Sequence, residues 1–155
     1  MAEVTRCGYV ALVGRPNVGK STLLNHVLGQ KISITSRKPQ TTRRNLIGVD
    51  TQQGNQAIYV DTPGIHQQTE RELNRYMVSN ATSALSDVDL LVVLIEGGKT
   101  TPADEHVLRL VAAHQAPKFA VLSKVDLIKD KAQLLPQMQA LGERSLFDEI
   151  VPLSA

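Results

Sequence analysis

The sequence predicts an α/β fold built on a mostly parallel sheet. Short aliphatic runs alternate with amphipathic helical stretches along the 155 residues, and two of the runs are apolar throughout. Strands that alternate with helices are typical of parallel sheets, and continuously apolar runs are typical of strands covered on both faces. Aromatic residues make up only 3% of the chain, so the core must be aliphatic. The length corresponds to about one domain.

The first half of the chain predicts three strands and one helix. The aliphatic run Tyr9–Val13 indicates a strand, and the spacing of leucine and valine in STLLNHVLG indicates a helix after it. The runs Leu46–Val49 and Ala57–Val60 flank TQQGN, a short turn signal that is typical of a hairpin.

The second half predicts three more strands and two helices. The apolar runs Leu90–Ile95 and Phe119–Leu122 indicate buried strands. Between them, Ala103–His114 has the spacing of an amphipathic helix. Thr101-Pro102 and two acidic residues form a capping pattern at its start. The remaining helix and strand are predicted over Leu134–Leu141 and Ile150–Leu153.

The single cysteine, Cys7, excludes an intramolecular disulfide and a cysteine-based zinc site. A chain without disulfide partners is typical of a reducing compartment, so we expect a cytoplasmic location. Cys7 lies beside the first predicted strand and is interpreted as a small core residue rather than a reactive thiol. The longest apolar run, Leu90–Ile95, has six residues, whereas a membrane-spanning helix needs about 20.

Charge is distributed unevenly, which the net charge of +2 conceals. Residues 1–50 carry a net charge of +6, and residues 51–155 carry −4. The basic first third predicts either an anionic ligand there or a solvated basic face.

Residues 14–21, GRPNVGKS, match the phosphate-loop pattern G-x-x-x-x-G-K-[ST] directly after the first predicted strand. Gly14 and Gly19 permit backbone conformations and a close approach that a Cβ atom would prevent. The successive N–H groups and the start of the next helix form an anion site, in which Lys20 reaches the β- and γ-phosphates and Ser21 ligates Mg²⁺. The residues predicted to contact nucleotide here are Gly14, Arg15, Pro16, Asn17, Val18, Gly19, Lys20, Ser21 and Thr22.

A second polar segment, DTPG at residues 61–64, follows the strand predicted over Ala57–Val60. At the end of such a strand Asp61 can hold Mg²⁺ through water, and the Gly64 amide can meet a γ-phosphate. The same tetrapeptide also fits an ordinary turn at the end of a strand.

A third segment, SKVD at residues 123–126, follows the next-to-last predicted strand and predicts recognition of guanine. The Asp126 carboxylate can accept hydrogen bonds from N1–H and the exocyclic amine of guanine, a donor pair that adenine lacks. The aliphatic stem of Lys124 can lie along the base plane, and a backbone amide after the last strand can meet the guanine carbonyl oxygen. The residues predicted to form the base site are Ser123, Lys124, Asp126, Ser154 and Ala155.

GRPNVGKS, DTPG, SKVD and the pair Ser154-Ala155 are four signals, each directly after a predicted strand. Together they resemble the motif set of translation-factor-related GTPases. Within that group the chain resembles the Era family of bacterial ribosome-assembly GTPases over all 155 residues, most specifically in GRPNVGKSTLLNHVLGQKISITSRKPQTTRRNLIG and YVDTPGIH. The related Der and MnmE GTPases share the loop form, but they usually show a glycine-containing segment where this chain has KPQTTR. The resemblance implies a P-loop NTPase fold of the Ras-like G-domain type, with a six-stranded, mostly parallel sheet and helices on both faces.

The resemblance also implies roles for individual residues. Residues 30–44 and 61–75 correspond to two switches that γ-phosphate and Mg²⁺ order. Thr42 matches the switch threonine that ligates Mg²⁺, and Thr41, one residue away, is an open alternative. The expected catalytic residues are Lys20, Thr42, Gly64 and Asn17, and the expected Mg²⁺ ligands are Ser21, Thr42 and, through water, Asp61.

The chain departs from the family pattern at two positions. Ser123 stands where the base motif commonly has Asn, and a hydroxyl makes only one of the hydrogen bonds that an amide makes. Ile65 stands where Ras-like enzymes have a water-positioning Gln, so slow intrinsic hydrolysis is expected. Relatives with this replacement resemble a group that uses K⁺ at a loop Asn; Asn17 is therefore either a K⁺ ligand or a loop-stabilising Asx-turn residue. His66 is interpreted as a solvated side chain rather than a general base.

The leading functional hypothesis is a molecular switch that binds GTP or GDP with Mg²⁺ and hydrolyses GTP. One alternative is a binding module in which GTP or GDP controls the docking of a partner and turnover is negligible. Another is a GTPase of the Der or MnmE type. A kinase acting on a small metabolite is disfavoured by Asp126.

The resemblance implies partners and a domain organisation as well. Era proteins act in 30S subunit assembly through a C-terminal KH domain that recognises 16S rRNA, and peripheral association with the inner face of the cell membrane is an open alternative. Residues 1–155 correspond to the GTP-binding domain alone, which we expect to stop inside the fifth motif, one helix short, and which contains no KH-type GXXG loop. Four basic residues of the first switch can contact RNA phosphates or remain solvated: Arg37, Lys38, Arg43 and Arg44.

Overall fold

The structure, a computed structural model, describes residues 5–15, 17–29, 45–61 and 88–154. Most of both predicted switches therefore lies outside the described residues. The individual residues singled out above that lie outside them are Pro16, Arg37, Lys38, Thr41, Thr42, Arg43, Arg44, Gly64, Ile65, His66 and Ala155.

Six strands of the described chain form one sheet. They are β1 (Arg6–Val13), β2 (Asn45–Gln52), β3 (Asn55–Asp61), β4 (Leu90–Glu96), β5 (Lys118–Ser123) and β6 (Glu149–Pro152). Their order across the sheet is β2-β3-β1-β4-β5-β6. All neighbouring strands run parallel except β2 and β3, which form the predicted antiparallel hairpin. The predicted fold class is confirmed.

Within the described residues three α-helices accompany the sheet: α1 (Lys20–Leu28), α2 (Pro102–Ala112) and α3 (Leu134–Glu143). Two short 3₁₀ turns cover Val125–Leu127 and Lys131–Gln133. The predicted start of α2 is confirmed as a capping box, in which Thr101 Oγ1 accepts from the Asp104 N–H and Asp104 Oδ2 accepts from the Thr101 N–H. The helix ends at Ala112, two residues before the predicted end. No helix in these described ranges is long and apolar enough to cross a membrane.

The core lies in two clusters, because successive residues of a strand face opposite sides of the sheet. The smaller cluster joins α1 to one face through Leu12, Val18, Leu24, Leu94 and Val121. The larger cluster joins α2 and α3 to the other face, and its members include Val13, Val93, Leu108, Leu122 and Leu141. The helices therefore cover both faces of the sheet, as the resemblance implied.

The start of β1 corrects the interpretation of Cys7. β1 begins at Arg6, three residues before the predicted strand, and its pairing with β4 begins only at Val10. Cys7 therefore pairs with Gln56 of β3 alone, and its side chain is exposed. The interpretation of Cys7 as a core residue was wrong because this end of the strand extends beyond the part of the sheet that β4 reaches.

The hairpin turn is tighter than the TQQGN segment predicted. Gln53 and Gly54 both have positive φ angles, of 51° and 80°, a combination typical of a two-residue type I′ turn. The remaining residues of TQQGN are part of β2 and β3.

Candidate nucleotide-binding site

The predicted motifs meet at one edge of the sheet, because the parallel strands that precede them end there. The phosphate loop follows β1, Glu96 ends β4, Ser123 ends β5, and Ser154 follows β6. In open α/β sheets this carboxyl edge is where ligands bind. The predicted placement after a strand is confirmed for the phosphate loop, SKVD and Ser154, whereas residues 62–64 of DTPG lie outside the described residues.

The phosphate loop needs glycine at both of its fixed positions. A Cβ atom at Gly14 would lie 2.8 Å from Val18 Cγ1 and 2.9 Å from the Leu94 carbonyl oxygen. Gly19 has a φ of 113°, which L side chains rarely adopt. Gly19 is also the N-cap of α1 and makes no side-chain hydrogen bond to the helix, whose N-terminus is the kind of position where anions bind.

Lys20 lies at the start of α1 with its ammonium group folded back over the loop. Its Nζ donates a hydrogen bond to the Gly14 carbonyl oxygen at 2.8 Å. The side chain thus closes the loop and places a positive charge where the phosphates of a nucleotide are expected.

The first turn of α1 also fits a magnesium ion held mainly by phosphate oxygens. Ser21 is exposed there, directly after the loop lysine. Asp61 ends β3, opposite Leu12 near the end of β1, so the strand carries it to the same edge. Within the described ranges there is no group of three His, Cys, Asp or Glu residues that could hold a metal by themselves. Mg²⁺ commonly binds with one or two protein ligands and substrate phosphates, and a serine hydroxyl suits that arrangement.

The base motif contains a hydrogen bond that sequence reasoning missed. The Ser154 hydroxyl donates to Asp126 Oδ1 at 2.8 Å, whereas we predicted only a backbone role for Ser154. A carboxylate offers about four acceptor positions, so Ser154 orients the group and leaves acceptors for a base. The signal was present in the sequence, since both residues follow neighbouring parallel strands.

Two contacts from the base motif hold the phosphate loop. Ser123 Oγ donates to the Val18 carbonyl oxygen at 2.5 Å, and Lys124 Nζ donates to the Asn17 carbonyl oxygen at 2.7 Å. Ser123 Oγ also lies 3.4 Å from the Ile95 carbonyl oxygen, but the hydroxyl has one proton and so donates one hydrogen bond at a time. The two loops form one connected structure.

Arg15 is held by carboxylates of the protein, which sequence reasoning did not foresee. One terminal guanidinium nitrogen of Arg15 donates to Glu96 Oε2 at 2.7 Å, and its Nε lies 3.2 Å from Asp104 Oδ1. Asp104 is 0% exposed, and its other carboxylate oxygen caps α2 through Thr101. The Arg15 side chain therefore anchors the first turn of the loop to β4 and α2, and its predicted nucleotide contact stays a prediction.

Comparisons with known proteins agree with this geometry. Residues 9–124 match the sequence model of the 50S ribosome-binding GTPase family. GTPase Era from Pseudomonas fluorescens Pf-5 is 56% identical over 154 residues, which are 99% of this chain and 51% of that protein. GTPase Era from Cronobacter sakazakii is 54% identical over 151 residues, covering 97% and 50% of the two proteins. The chain spans about half the length of the curated relatives it matches.

Solved structures show the same fold. A crystal structure of Era in complex with MgGDPNP and nucleotides 1506–1542 of 16S ribosomal RNA has a TM-score of 0.73 and 37% identity, covering 97% of this chain and 52% of that one. The G domain of the Thermotoga maritima FeoB iron transporter has a TM-score of 0.62 at 20% identity, covering 96% and 87%, and supports the fold alone. The predicted resemblance to Era is confirmed. The family match over residues 9–124, together with the sheet order and the two connected loops, shows that this chain belongs to the 50S ribosome-binding GTPase family.

Proposed function

We propose that this chain binds guanine nucleotide together with Mg²⁺ and hydrolyses GTP to GDP and phosphate as a molecular switch. The observation that carries the proposal is the connection between the two loops. Asp126, oriented by Ser154, belongs to the same motif as Lys124, which donates to the Asn17 carbonyl of the phosphate loop. Recognition of a base and recognition of phosphates are thereby combined in a single site.

Guanine is the base that the site suits. Asp126 is exposed at the carboxyl edge of the sheet and retains acceptors for the two adjacent N–H groups of guanine. Adenine has no such donor pair, and a site built to bind one discriminates by about 10⁴–10⁵-fold against a base that lacks it.

The phosphate end of the site supplies groups for hydrolysis. Lys20 and the N-terminus of α1 offer positive charge and N–H donors to the β- and γ-phosphates. Ser21, Thr42 and, through water, Asp61 are the proposed ligands of Mg²⁺, which when bound neutralises charge on the phosphate oxygens. The Gly64 amide is proposed to meet the γ-phosphate.

A titration with fluorescent nucleotides tests the base assignment. Wild-type protein should bind GDP and GTP and should bind ATP at least about 10³-fold more weakly. Asp126→Asn should weaken guanine nucleotides and favour xanthine nucleotides. Asp130→Asn is the matched control: Asp130 is exposed in a nearby turn, where an amide oxygen can still accept the Ala132 N–H. ATP binding as tightly as GTP would contradict the proposal.

Turnover is tested by single-turnover release of phosphate from GTP. The replacement of the water-positioning Gln by Ile65 predicts a slow intrinsic rate, on the order of 10⁻⁴ s⁻¹. If bound GTP releases no phosphate over a day, the chain is instead a binding module in which the bound nucleotide controls the docking of a partner.

We propose K⁺ as an activator that acts at Asn17. Asn17 is exposed at the tip of the phosphate loop and has a left-handed backbone with φ of 63°. A cation there would supply positive charge near the phosphates. Hydrolysis should be faster in KCl than in NaCl at equal ionic strength, and equal rates would leave Asn17 with the structural role alone.

We propose that 16S rRNA and the small ribosomal subunit are partners and that the protein acts in 30S assembly in the cytoplasm. The complex of Era with nucleotides 1506–1542 of 16S rRNA supports the first point, and the single cysteine supports the second. The resemblance assigns the RNA contact to a KH domain, so the test uses a protein that carries both domains. In that protein an RNA oligonucleotide of this sequence should bind more tightly with a non-hydrolysable GTP analogue than with GDP. Binding to vesicles of anionic lipid in the same assay would identify the membrane as a further partner.

A further inference from the structure

Glu96 lies at a junction between the two loops of the site. It is the last residue of β4, and the register of β4 with β5 pairs it with Ser123, immediately before Lys124. The carboxylate of Glu96 is therefore beside the base motif, although the two segments are far apart in the sequence. Glu96 belongs to none of the nucleotide motifs.

The backbone around Glu96 is held in place from two sides. The Glu96 carbonyl oxygen accepts from Gln137 Nε2 at 3.0 Å, and Gln137 Oε1 accepts from the Gly98 N–H at 2.7 Å. The Gly97 N–H donates to the Ser123 carbonyl oxygen at 2.8 Å. Because these bonds fix the turn after β4, the carboxylate is presented from a defined position.

Two cations share one oxygen of this carboxylate. Glu96 Oε2 lies 2.7 Å from a terminal guanidinium nitrogen of Arg15 and 3.8 Å from Lys124 Nζ. Arg15 belongs to the phosphate loop and Lys124 to the base motif. Without the negative charge between them the two cations would repel each other, since both approach the same point within 4 Å.

Each of the two cations also has a partner other than Glu96. Arg15 also has the buried carboxylate of Asp104 at 3.2 Å. Across the part of the chain that the structure describes, Glu96 is the one carboxylate within ion-pair distance of Lys124. Lys124 also keeps its 2.7 Å hydrogen bond to the Asn17 carbonyl oxygen. Loss of Glu96 should therefore leave each cation with one other partner and remove the negative charge that joins them.

We propose that Glu96 is a positioning residue for nucleotide binding, which holds Lys124 over the base site while joining it to Arg15 of the phosphate loop. The inference rests on the proposed function, because it concerns the guanine-nucleotide site. Glu96 acts through Lys124 and Arg15 and does not itself contact the ligand.

Titrations of the full chain with GDP and a GTP analogue test the proposal. Glu96→Gln keeps the size of the side chain and removes its charge, and it should weaken both nucleotides by about three- to tenfold, the effect of a partly exposed charged hydrogen bond. Glu105→Gln is the matched control. Glu105 of α2 pairs with Arg144 at the end of α3, and the exposed fraction of its side chain, 41%, is close to the 37% of Glu96. Glu105→Gln should leave affinity unchanged.

A double-mutant cycle separates positioning from a general effect on stability. If Glu96 acts through Lys124, Glu96→Gln should weaken GDP binding little further in a Lys124→Met background. A merely structural role would lower the melting temperature and leave the affinity for GDP unchanged.

Each failure has a distinct meaning. Wild-type binding with an affinity unchanged by Glu96→Gln, or the full loss repeated in the Lys124→Met background, would overturn the proposal. Wild-type protein that binds neither GDP nor GTP would overturn the proposed function, and this proposal with it.

Discussion

Replacing Gly14 by alanine should destabilise the protein and weaken nucleotide binding together. The added methyl group would lie 2.8 Å from Val18 Cγ1 and 2.9 Å from the Leu94 carbonyl oxygen, whereas carbon atoms pack favourably at about 3.5–4.0 Å. Val18 is 0% exposed and the Leu94 oxygen belongs to the backbone of β4. Neither neighbour can yield easily, so the first turn of the phosphate loop must move. Overpacking of this kind costs about 1–3 kcal/mol.

Thermal unfolding and a GDP titration measure the two effects. For a chain of this length 1 kcal/mol corresponds to about 2–4 °C in Tm, so the melting temperature of Gly14→Ala should fall by roughly 2–12 °C. GDP affinity should fall by about tenfold or more, because the loop amides that bind phosphate move with the turn.

A second glycine-to-alanine change provides a control of opposite sign. Gly142 lies within α3, and a Cβ atom there would make an ordinary contact of 3.8 Å with Ile150 Cδ1. Alanine is favoured over glycine inside a helix by about 0.5–1 kcal/mol, so Gly142→Ala should raise Tm and leave GDP affinity unchanged. An unaltered Tm and GDP affinity in Gly14→Ala would refute the steric reasoning, as would equal losses in both variants.

Two further predictions concern contacts described above, and a third concerns Tyr59, a half-buried residue of β3. Asp104→Asn should lower stability by about 1–3 kcal/mol, because one amide oxygen cannot both cap α2 and face Arg15, and the guanidinium loses the buried carboxylate 3.2 Å from its Nε. Ser154→Ala should weaken GDP binding by about three- to tenfold, because the Asp126 carboxylate loses the hydroxyl that orients it. Burial raises the pKa of Tyr59 above its ordinary 10.0, so the unfolded chain loses this proton at a lower pH than the folded protein. The contribution of Tyr59 to the free energy of unfolding is fully present below pH 10.0 and is lost as the pH rises through its pKa in the folded protein. Tyr59→Phe should remove that decline in stability.

The measurements that check these predictions are simple. Denaturant unfolding reports on Asp104→Asn, and a loss below about 0.5 kcal/mol would show that the buried pair adds little net stability. For Ser154→Ala, GDP and GTP affinities equal to those of the wild type would show that Asp126 is oriented without the hydroxyl. Identical stability profiles of wild type and Tyr59→Phe between pH 9 and pH 11 would contradict the reasoning about the half-buried phenol.

Elements with a strong local pattern could be predicted from the sequence. Leu90–Ile95 of β4 and Phe119–Leu122 of β5 are apolar throughout because both faces of these strands are covered, and α2 carries its own start signal in Thr101 and Asp104. The boundaries of β1 could not be predicted. Arg6 and Cys7 are not part of the apolar run, and only pairing with β3, which is distant in sequence, makes them part of a strand.

The features of the candidate site also differ in whether they could be predicted from the sequence. The phosphate loop could be predicted because its glycines, Lys20 and Ser21 follow one another in the sequence, and each meets a need of the phosphate group. The contacts of Glu96 could not be predicted, because an isolated Glu at the end of a strand has no pattern of its own. Its partners depend on the register of β4 with β5 and on where the Arg15 side chain turns.

The bond from Lys124 to the Asn17 carbonyl joins residues 107 positions apart, and that distance bears on how the protein folds. Contacts of such high sequence separation require long loops to close first, which makes folding slow. The site is therefore complete only after β5 has joined the sheet that begins with β1, and partly folded chains lack it. Nucleotide binds the completed fold and raises its free energy of unfolding by RT ln(1 + [L]/Kd), where [L] is the free nucleotide concentration. Nucleotide should accordingly slow unfolding while leaving the rate of folding unchanged.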